Sequence, residues 1–223
     1  MGFPFETIVS ETEPTITKER IIETTYSQQL VRVDYERVGW EDTDCIEYIR
    51  SIINVLSPDL IVISDYQKGL ITKSLAEVIM STGIPVLGDL KPGNLSWFRW
   101  ALAIKPNFKE FQIQVGISGE NTHAYIEMHG PALAYSLDTN LIITRSEHGV
   151  SVVLKNSEVY HMPILVQDVF DVTGAGDTFI AAMAVAICEG KTLLEAALFG
   201  NKASAIAVGK IGTVKVKRRE VSI

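Results

Sequence analysis

Hydrophobic positions along this chain switch repeatedly between a period of two and a period near 3.6. From Thr24 to Tyr35, Val31, Val33 and Tyr35 fall on one side and Leu30, Arg32 and Asp34 on the other, which predicts a strand with one largely charged face. Residues 1–22 before it are polar and carry no stable period. Cys45, Ile46, Ile49, Ile52, Ile53 and Leu56 recur at helical spacing until Ser57-Pro58-Asp59 stops them. Leu60 to Ile63 is a continuous apolar run ending at Ser64-Asp65, the pattern of a buried parallel strand. The alternation then repeats. A helix is expected near Thr72–Ser81, ended by Gly83, and a strand from Ile84 toward Asp89. Another strand runs from Ala101 to Lys105 and stops at Pro106-Asn107, followed by a helix over 108–114. Part of 122–136 reads as helix, with Gly130-Pro131 expected to interrupt it. Leu141–Thr144, Val150–Leu154 and part of Val159–Val166 read as strands, and two helices, roughly 175–189 and 192–208, flank Glu189-Gly190-Lys191. Strands alternating with helices imply βαβ units and an α/β fold with a mostly parallel sheet.

Asp65, Asp89, Asn107 and Thr144 each lie just past the end of a predicted strand. In open α/β sheets ligands bind outside the carboxyl ends of the strands, so these four could converge on one crevice. Each alone is equally a turn former or helix cap. The densest signal is Asp171-Val-Thr-Gly-Ala-Gly-Asp177, followed at once by an apolar run. Small residues let the backbone approach a ligand, and the N–H groups of a new helix attract anions. A carboxylate placed there would repel a bound phosphate, which suggests a general base for an attacking hydroxyl and hence phosphoryl transfer. The plainer alternative is an Asp N-cap with a Gly-rich lead-in.

Composition narrows the classes. With 223 residues, 47% of them apolar, the chain can bury a substantial core as one large domain, or one with a small appendage. A net charge of −7 argues against binding a nucleic-acid backbone. Cys45 and Cys188 lie in segments that read as buried helix, with no disulfide framework or metal spacing, which fits a reducing compartment. His123, His129, His148 and His161 show no paired ligand spacing. There is no secretory signal pattern, and the longest apolar stretch, Phe179 to Cys188, is too short to span a bilayer. A cytoplasmic protein without membrane association is expected.

The segment Asp171 to Ala184 matches the C-terminal signature of the PfkB/ribokinase family of small-molecule kinases, with Val172 where Thr is more usual. Pro106-Asn107-Phe-Lys-Glu110, Thr144-Arg-Ser-Glu-His-Gly149 and Asn201 agree with that family in order and spacing. Ser64-Asp65-Tyr66-Gln-Lys68-Gly69, Gln28 to Asp34 and Gly209 to Thr213 most resemble one subgroup. That subgroup is the D-glycero-D-manno-heptose-7-phosphate kinases, including the kinase half of bifunctional ADP-heptose synthesis proteins. The resemblance covers the chain from about Thr15 onward and implies a ribokinase-like three-layer sandwich with a mostly parallel central sheet. The family's earlier βα unit, Gly-Gly signature and sugar-contacting Asp have no counterpart, so an N-terminally truncated fold is expected. Residues 1–40 would be a residual lid-like strand region and 41–223 the nucleotide-binding and catalytic core.

The resemblance also implies roles. Asp177 would be the general base, with the N–H groups of Gly174, Ala175 and Gly176 as the anion hole. Asn107 and Glu110 would help hold Mg²⁺ and the phosphates, Glu110 through water, although the same pair has the spacing of a capping box. Thr144, Ser146, Gly149 and Asn201 would line the nucleotide pocket. Asp171 and the Thr173 carbonyl resemble a monovalent-cation site, for K⁺, completed by the Val208–Gly212 loop. Asp65, Lys68 and Arg32 would face a sugar phosphate, with Lys91 near either phosphate and Arg20 on the lid; each alone is equally a solvated surface group. The apolar face of the lid-like strand calls for lid closure or a homodimer partner. The activity implied is transfer of the ATP γ-phosphate to a sugar hydroxyl, most closely heptose 7-phosphate to heptose 1,7-bisphosphate. The alternatives are a non-catalytic or partner-dependent nucleotide-binding fragment, and a kinase of the same family for another sugar or nucleoside.

Overall fold

A computed structural model describes residues 16–25, 28–36, 43–165, 171–210, 212 and 214–221. Within them, β1 (Thr17–Glu23) and β2 (Gln28–Tyr35) form an antiparallel hairpin apart from the main sheet. The core then runs α1 (Thr43–Leu56), β3 (Ile61–Ser64), α2 (Lys73–Ser81), β4 (Val86–Asp89), β5 (Ala103–Ile104), α3 (Phe108–Val115) and α4 (His123–Leu137). It continues through β6 (Asn140–Thr144), β7 (Val150–Val153), β8 (Val159–Met162), α5 (Ala175–Cys188) and α6 (Leu193–Val208). The six strands β3 to β8 lie in chain order, parallel from β3 to β6 and antiparallel from β6 to β8.

Period-two burial sorts the sheet residues into two cores. Ile63, Ile104, Leu141, Ile143 and Val153 face a layer that includes Leu75, Ile79, Phe111 and Ile126 of α2, α3 and α4. Leu87, Ala103, Ile142, Val150 and Val152 face Phe179, Ile180 and Met183 of α5 and Ala196, Phe199 and Ala203 of α6. On β6, Leu141 and Ile143 go to one core while Ile142 goes to the other, so a strand with no polar alternation is buried on both faces. Local signals start the helices where the sequence predicts. Thr72, Asn107, Thr122 and Thr192 are N-caps, and Asn107 with Glu110 and Thr192 with Glu195 close reciprocal capping boxes.

Four expectations are corrected. The polar stretch before Thr24 contains β1, a strand held by pairing with β2 and not by any pattern of its own: Ile21 opposes Val31, Glu19 opposes Val33, and the register slips between Ile21 and Ile22. The strand expected from Thr24 accordingly begins at Gln28, after a turn in which the Thr25 N–H meets Glu23 at 2.6 Å. Gly130-Pro131 does not interrupt α4, which is one helix containing Pro131. Tertiary packing of Ile126, Ala134 and Leu137 holds it, and Gly130 lets it approach β7 so closely that a Cβ would meet Val153 at 2.8 Å. Cys45 is buried as expected, but Cys188 is exposed at the last residue of α5. The boundary expected between residues 40 and 41 and the end of the last predicted strand, Val166, lie outside the described residues. No helix among the described residues is long and apolar enough to cross a membrane.

Candidate active site

The site is organised by the start of α5. Gly174 precedes it at φ 77°, a conformation that turns the chain into the helix without a Cβ clash. The first i−4 bond of α5 runs from the Thr178 N–H to the Gly174 carbonyl at 2.9 Å, so the N–H groups of Gly176 and Asp177 have no acceptor within the helix. The Ala175 N–H is turned to the Val172 carbonyl at 3.2 Å, which takes it out of the expected trio and leaves Gly176 as the trio's inner amide. Asp177 is the third helical residue, exposed, and its carboxylate makes no capping bond. Asp171 ties down the approach: its carboxylate accepts the N–H of Thr173 at 2.8 Å and of Gly212 at 3.2 Å. The hydroxyl and N–H of Thr173 hold the Asp171 carboxyl below the usual carboxylate range. Of the loop expected to complete a cation site there, Ile211 lies outside the described residues.

Behind Gly176 stands a pair that the sequence reading did not single out as a site. Lys105 is 5% exposed, at the end of β5, and its Nζ lies 2.9 Å from Asp89 Oδ2 at the end of β4. A Cβ built on Gly176 would come 3.5 Å from that ammonium. A buried cation therefore faces the start of α5 beside the inner amide. The other Asp89 oxygen, Oδ1, is buried without a hydrogen-bond partner, 3.9 Å from Lys91 Nζ. Lys91 reaches across to Glu110 at 2.7 Å, while Glu110 and Asn107 also hold each other in the capping box, at 2.8 and 2.9 Å. The strand ends adjoin in two pairs: Asp65 donates its N–H to the Asp89 carbonyl, and Asn107 bridges in parallel to Thr144.

On one side of this start, Thr144, Ser146, Gly149, Asn201 and Gly176 line a cavity of about 340 Å³ whose remaining wall is largely apolar, including Ile164, Phe179 and Val208. Its volume and its few convergent polar groups suit a nucleotide. Ser146 sits at φ 51° and Gly149 at φ 80°. Arg145, fully buried, braces this loop from behind: its guanidinium donates to Asn121 at 2.7 and 3.0 Å and to Ser151 at 3.0 Å. Asn201 donates to the Pro163 carbonyl at 2.9 Å, tying α6 to the same rim. A Cβ at Gly149 would lie 2.1 Å from the Met162 carbonyl oxygen. Gly149→Ala is therefore expected to cost about 2–3 kcal/mol, as overpacking and a strained φ together. Urea unfolding measures it, and an unchanged midpoint would refute the account.

On the other side, Asp177 opens into a second cavity of about 420 Å³, bordered by Ala181 and Val185 of α5 and by Lys215, Lys217 and Arg218. The residues expected to face a sugar phosphate are engaged elsewhere. Asp65 is buried, with its oxygens taken by the Gln67 N–H at 2.8 Å and Asn94 at 2.9 Å. Lys68 pairs with Glu36, and Arg32 makes two 2.7 Å contacts to Asp34 on the hairpin. The Asp177 carboxylate meets one side chain the sequence reading passed over, Tyr66, at 3.1 and 3.2 Å. The motif Ser64 to Gly69 marked that segment, but nothing in its spacing singled out the phenol.

Comparison with known proteins identifies the family and the fold. The model of the pfkB family carbohydrate kinases matches residues 11–218. The chain is 36% identical over 218 residues to the bifunctional protein HldE of Haemophilus influenzae (strain PittEE), covering 96% of this chain and 45% of that protein. It is 38% identical over 216 residues to the same-named protein of Erwinia tasmaniensis, covering 94% and 44%. The chain thus spans less than half the length of these curated relatives. Among solved structures, phosphofructokinase-2 of Escherichia coli in complex with potassium superposes with a TM-score of 0.76 at 17% identity, over 91% of this chain and 67% of that one. Ribokinase of Arabidopsis thaliana complexed with ribose and ATP gives 0.69 at 22% identity, over 91% and 65%. The sheet, with helices on both sides, has the ribokinase-like fold.

Proposed function

This chain belongs to the pfkB family of carbohydrate kinases, phosphotransferases with an alcohol group as acceptor, and we propose that it transfers the γ-phosphate of ATP to a hydroxyl of a phosphorylated sugar. The observation that carries the reading is the start of α5, where an inner amide, a buried ammonium and an exposed carboxylate meet between two cavities. ATP would lie in the cavity lined by Thr144, Ser146, Gly149 and Asn201, its terminal phosphate at the Gly176 amide and Lys105. Asp177 would take the proton from the acceptor hydroxyl on the opposite side. The acceptor oxygen then bonds to phosphorus as the bond to ADP breaks, and fixed donors stabilise the spreading charge.

The residues present fit Mg²⁺. An unpartnered buried carboxylate oxygen on Asp89, near Glu110, is the hard-donor chemistry that this ion uses through one or two carboxylates and several waters. Asp89 and Glu110 would hold it, and when bound it neutralises charge on the phosphates. At Asp171 both oxygens already accept N–H groups, so a monovalent cation there would have only the remaining lone pairs and the Thr173 carbonyl. The acceptor proposed is heptose 7-phosphate at its anomeric hydroxyl, on the resemblance of Ser64 to Gly69 and of Gln28 to Asp34 to the heptose kinases. The hairpin supports a second copy as partner: Ile21 and Val31 sit opposite each other with Tyr35 on the same face, all three exposed.

Incubation with Mg-ATP and heptose 7-phosphate, followed by phosphorus NMR, tests the reading. A new anomeric phosphate is the expected product. A folded, ATP-binding chain that makes none with heptose 7-phosphate would exclude this acceptor, and a panel of other sugars and nucleosides would then separate another acceptor from a non-catalytic fragment.

A further inference from the structure

We infer that Tyr66 is a positioning residue for the base, its phenol hydroxyl bridging both oxygens of Asp177 so that the carboxylate stays correctly turned; this rests on the reading of Asp177 as the base. The two residues are 111 positions apart, yet the hydroxyl lies 3.1 and 3.2 Å from the two carboxylate oxygens. Burial does not put it there, since Tyr66 is 59% exposed. The loop does.

Directly after β3, Asp65 is 4% exposed and fully engaged: one oxygen accepts the Gln67 N–H, the other the Asn94 amide, and its own N–H donates to the Asp89 carbonyl at 2.9 Å. Gln67 takes φ 54°, and its side chain donates to the Pro92 carbonyl at 2.8 Å. A loop tied this firmly to residues 89–94 projects Tyr66 toward α5 with little freedom. The buried Asp65 thereby finds a use as the anchor of that loop, away from the acceptor.

The charged and titratable groups around the pair come from four places. Asp89, the last residue of β4, and Lys91 just beyond it face the phenol, with Lys91 Nζ 6.0 Å from the ring centre, and Ser64 reaches it from the end of β3. Lys105 stands behind Gly176, and Lys215, Lys217 and Arg218 border the cavity into which Asp177 opens. Partial burial, then the negative charge of Asp177, pushes the phenol above its ordinary value, so it remains a donor across the neutral range.

A carboxylate offers about four acceptor sites. One donor shared between both oxygens fixes the carboxylate plane and leaves each oxygen a lone pair for the acceptor hydroxyl. During transfer the acceptor proton moves to Asp177 while the phenol keeps its own.

Tyr66→Phe is therefore expected to lower kcat for heptose 7-phosphate about tenfold and leave the KM for ATP unchanged. Added to Asp177→Asn it should cost nothing more, because it acts through Asp177. An independent readout is the ultraviolet titration of tyrosinate, taken as wild type minus Tyr66→Phe. Asp177→Asn should bring that titration down toward an ordinary phenol. A titration that Asp177→Asn does not move overturns the contact. A kcat unmoved by Tyr66→Phe overturns the positioning role. Full activity in Asp177→Asn overturns the base assignment itself, and the titration then reports separately on whether the contact exists.

Discussion

Asp177→Asn is expected to lower phosphoryl transfer by about 10²–10⁴ while leaving nucleotide affinity little changed. The substitution keeps the size of the side chain and the N–H groups of Gly174 to Gly176, so only the ability to accept a proton is lost. Asp177 does not line the cavity proposed for the nucleotide; it opens into the other one. Single-turnover transfer and calorimetric titration of ATP separate the two effects. A variant whose transfer falls by less than about tenfold would remove Asp177 from the role of base, because a positioned base contributes more than that. A loss seen mainly in ATP affinity would place the carboxylate on the nucleotide side of α5 instead.

Lys105→Met should damage both stability and chemistry. The Lys105–Asp89 pair is buried, and Asp89 already has one oxygen without a partner. Removing the ammonium leaves an uncompensated buried carboxylate, a defect of about 3–5 kcal/mol. The same ammonium stands 3.5 Å from where Gly176 would carry a Cβ, beside the position proposed for the terminal phosphate, so transfer is expected to fall a further ~10²–10³-fold in the fraction that remains folded. The double variant Asp89→Asn/Lys105→Met separates the effects. It removes the unpaired charge and should recover most of the urea midpoint without recovering kcat. Recovery of both would make Lys105 a purely structural partner of Asp89, and recovery of neither would refute the unpaired buried charge as the source of the lost stability; a midpoint recovered with kcat still low is assigned to Lys105 only if Asp89→Asn alone keeps its kcat.

The sequence by itself determined the alternation of strand and helix, because burial on both faces of a parallel strand and on one stripe of a helix leaves a period in the chain. It also determined the start of α5, since Gly174 and the residues after it are a local device whose conformation depends on near neighbours. The capping box at Asn107 and Glu110 was legible for the same reason. Where those local rules met tertiary packing they failed: Gly130-Pro131 lies inside an unbroken helix because α4 is clamped on β6 and β7. β1 carries no period of its own because both its faces are largely exposed and β2 supplies its pairing.

Only the tertiary structure decided which side chains meet. Asp65 and Lys105 both follow strands, yet one is an anchor buried in a loop and the other a cation facing Gly176. Tyr66 reaches Asp177 across 111 residues because β3 and α5 are brought together on one side of the sheet, and no periodicity encodes such a distance. Hydrophobic period reports which face of an element is buried. Convergence of polar groups depends on the order and direction of the strands, which is fixed when the two cores close around the sheet.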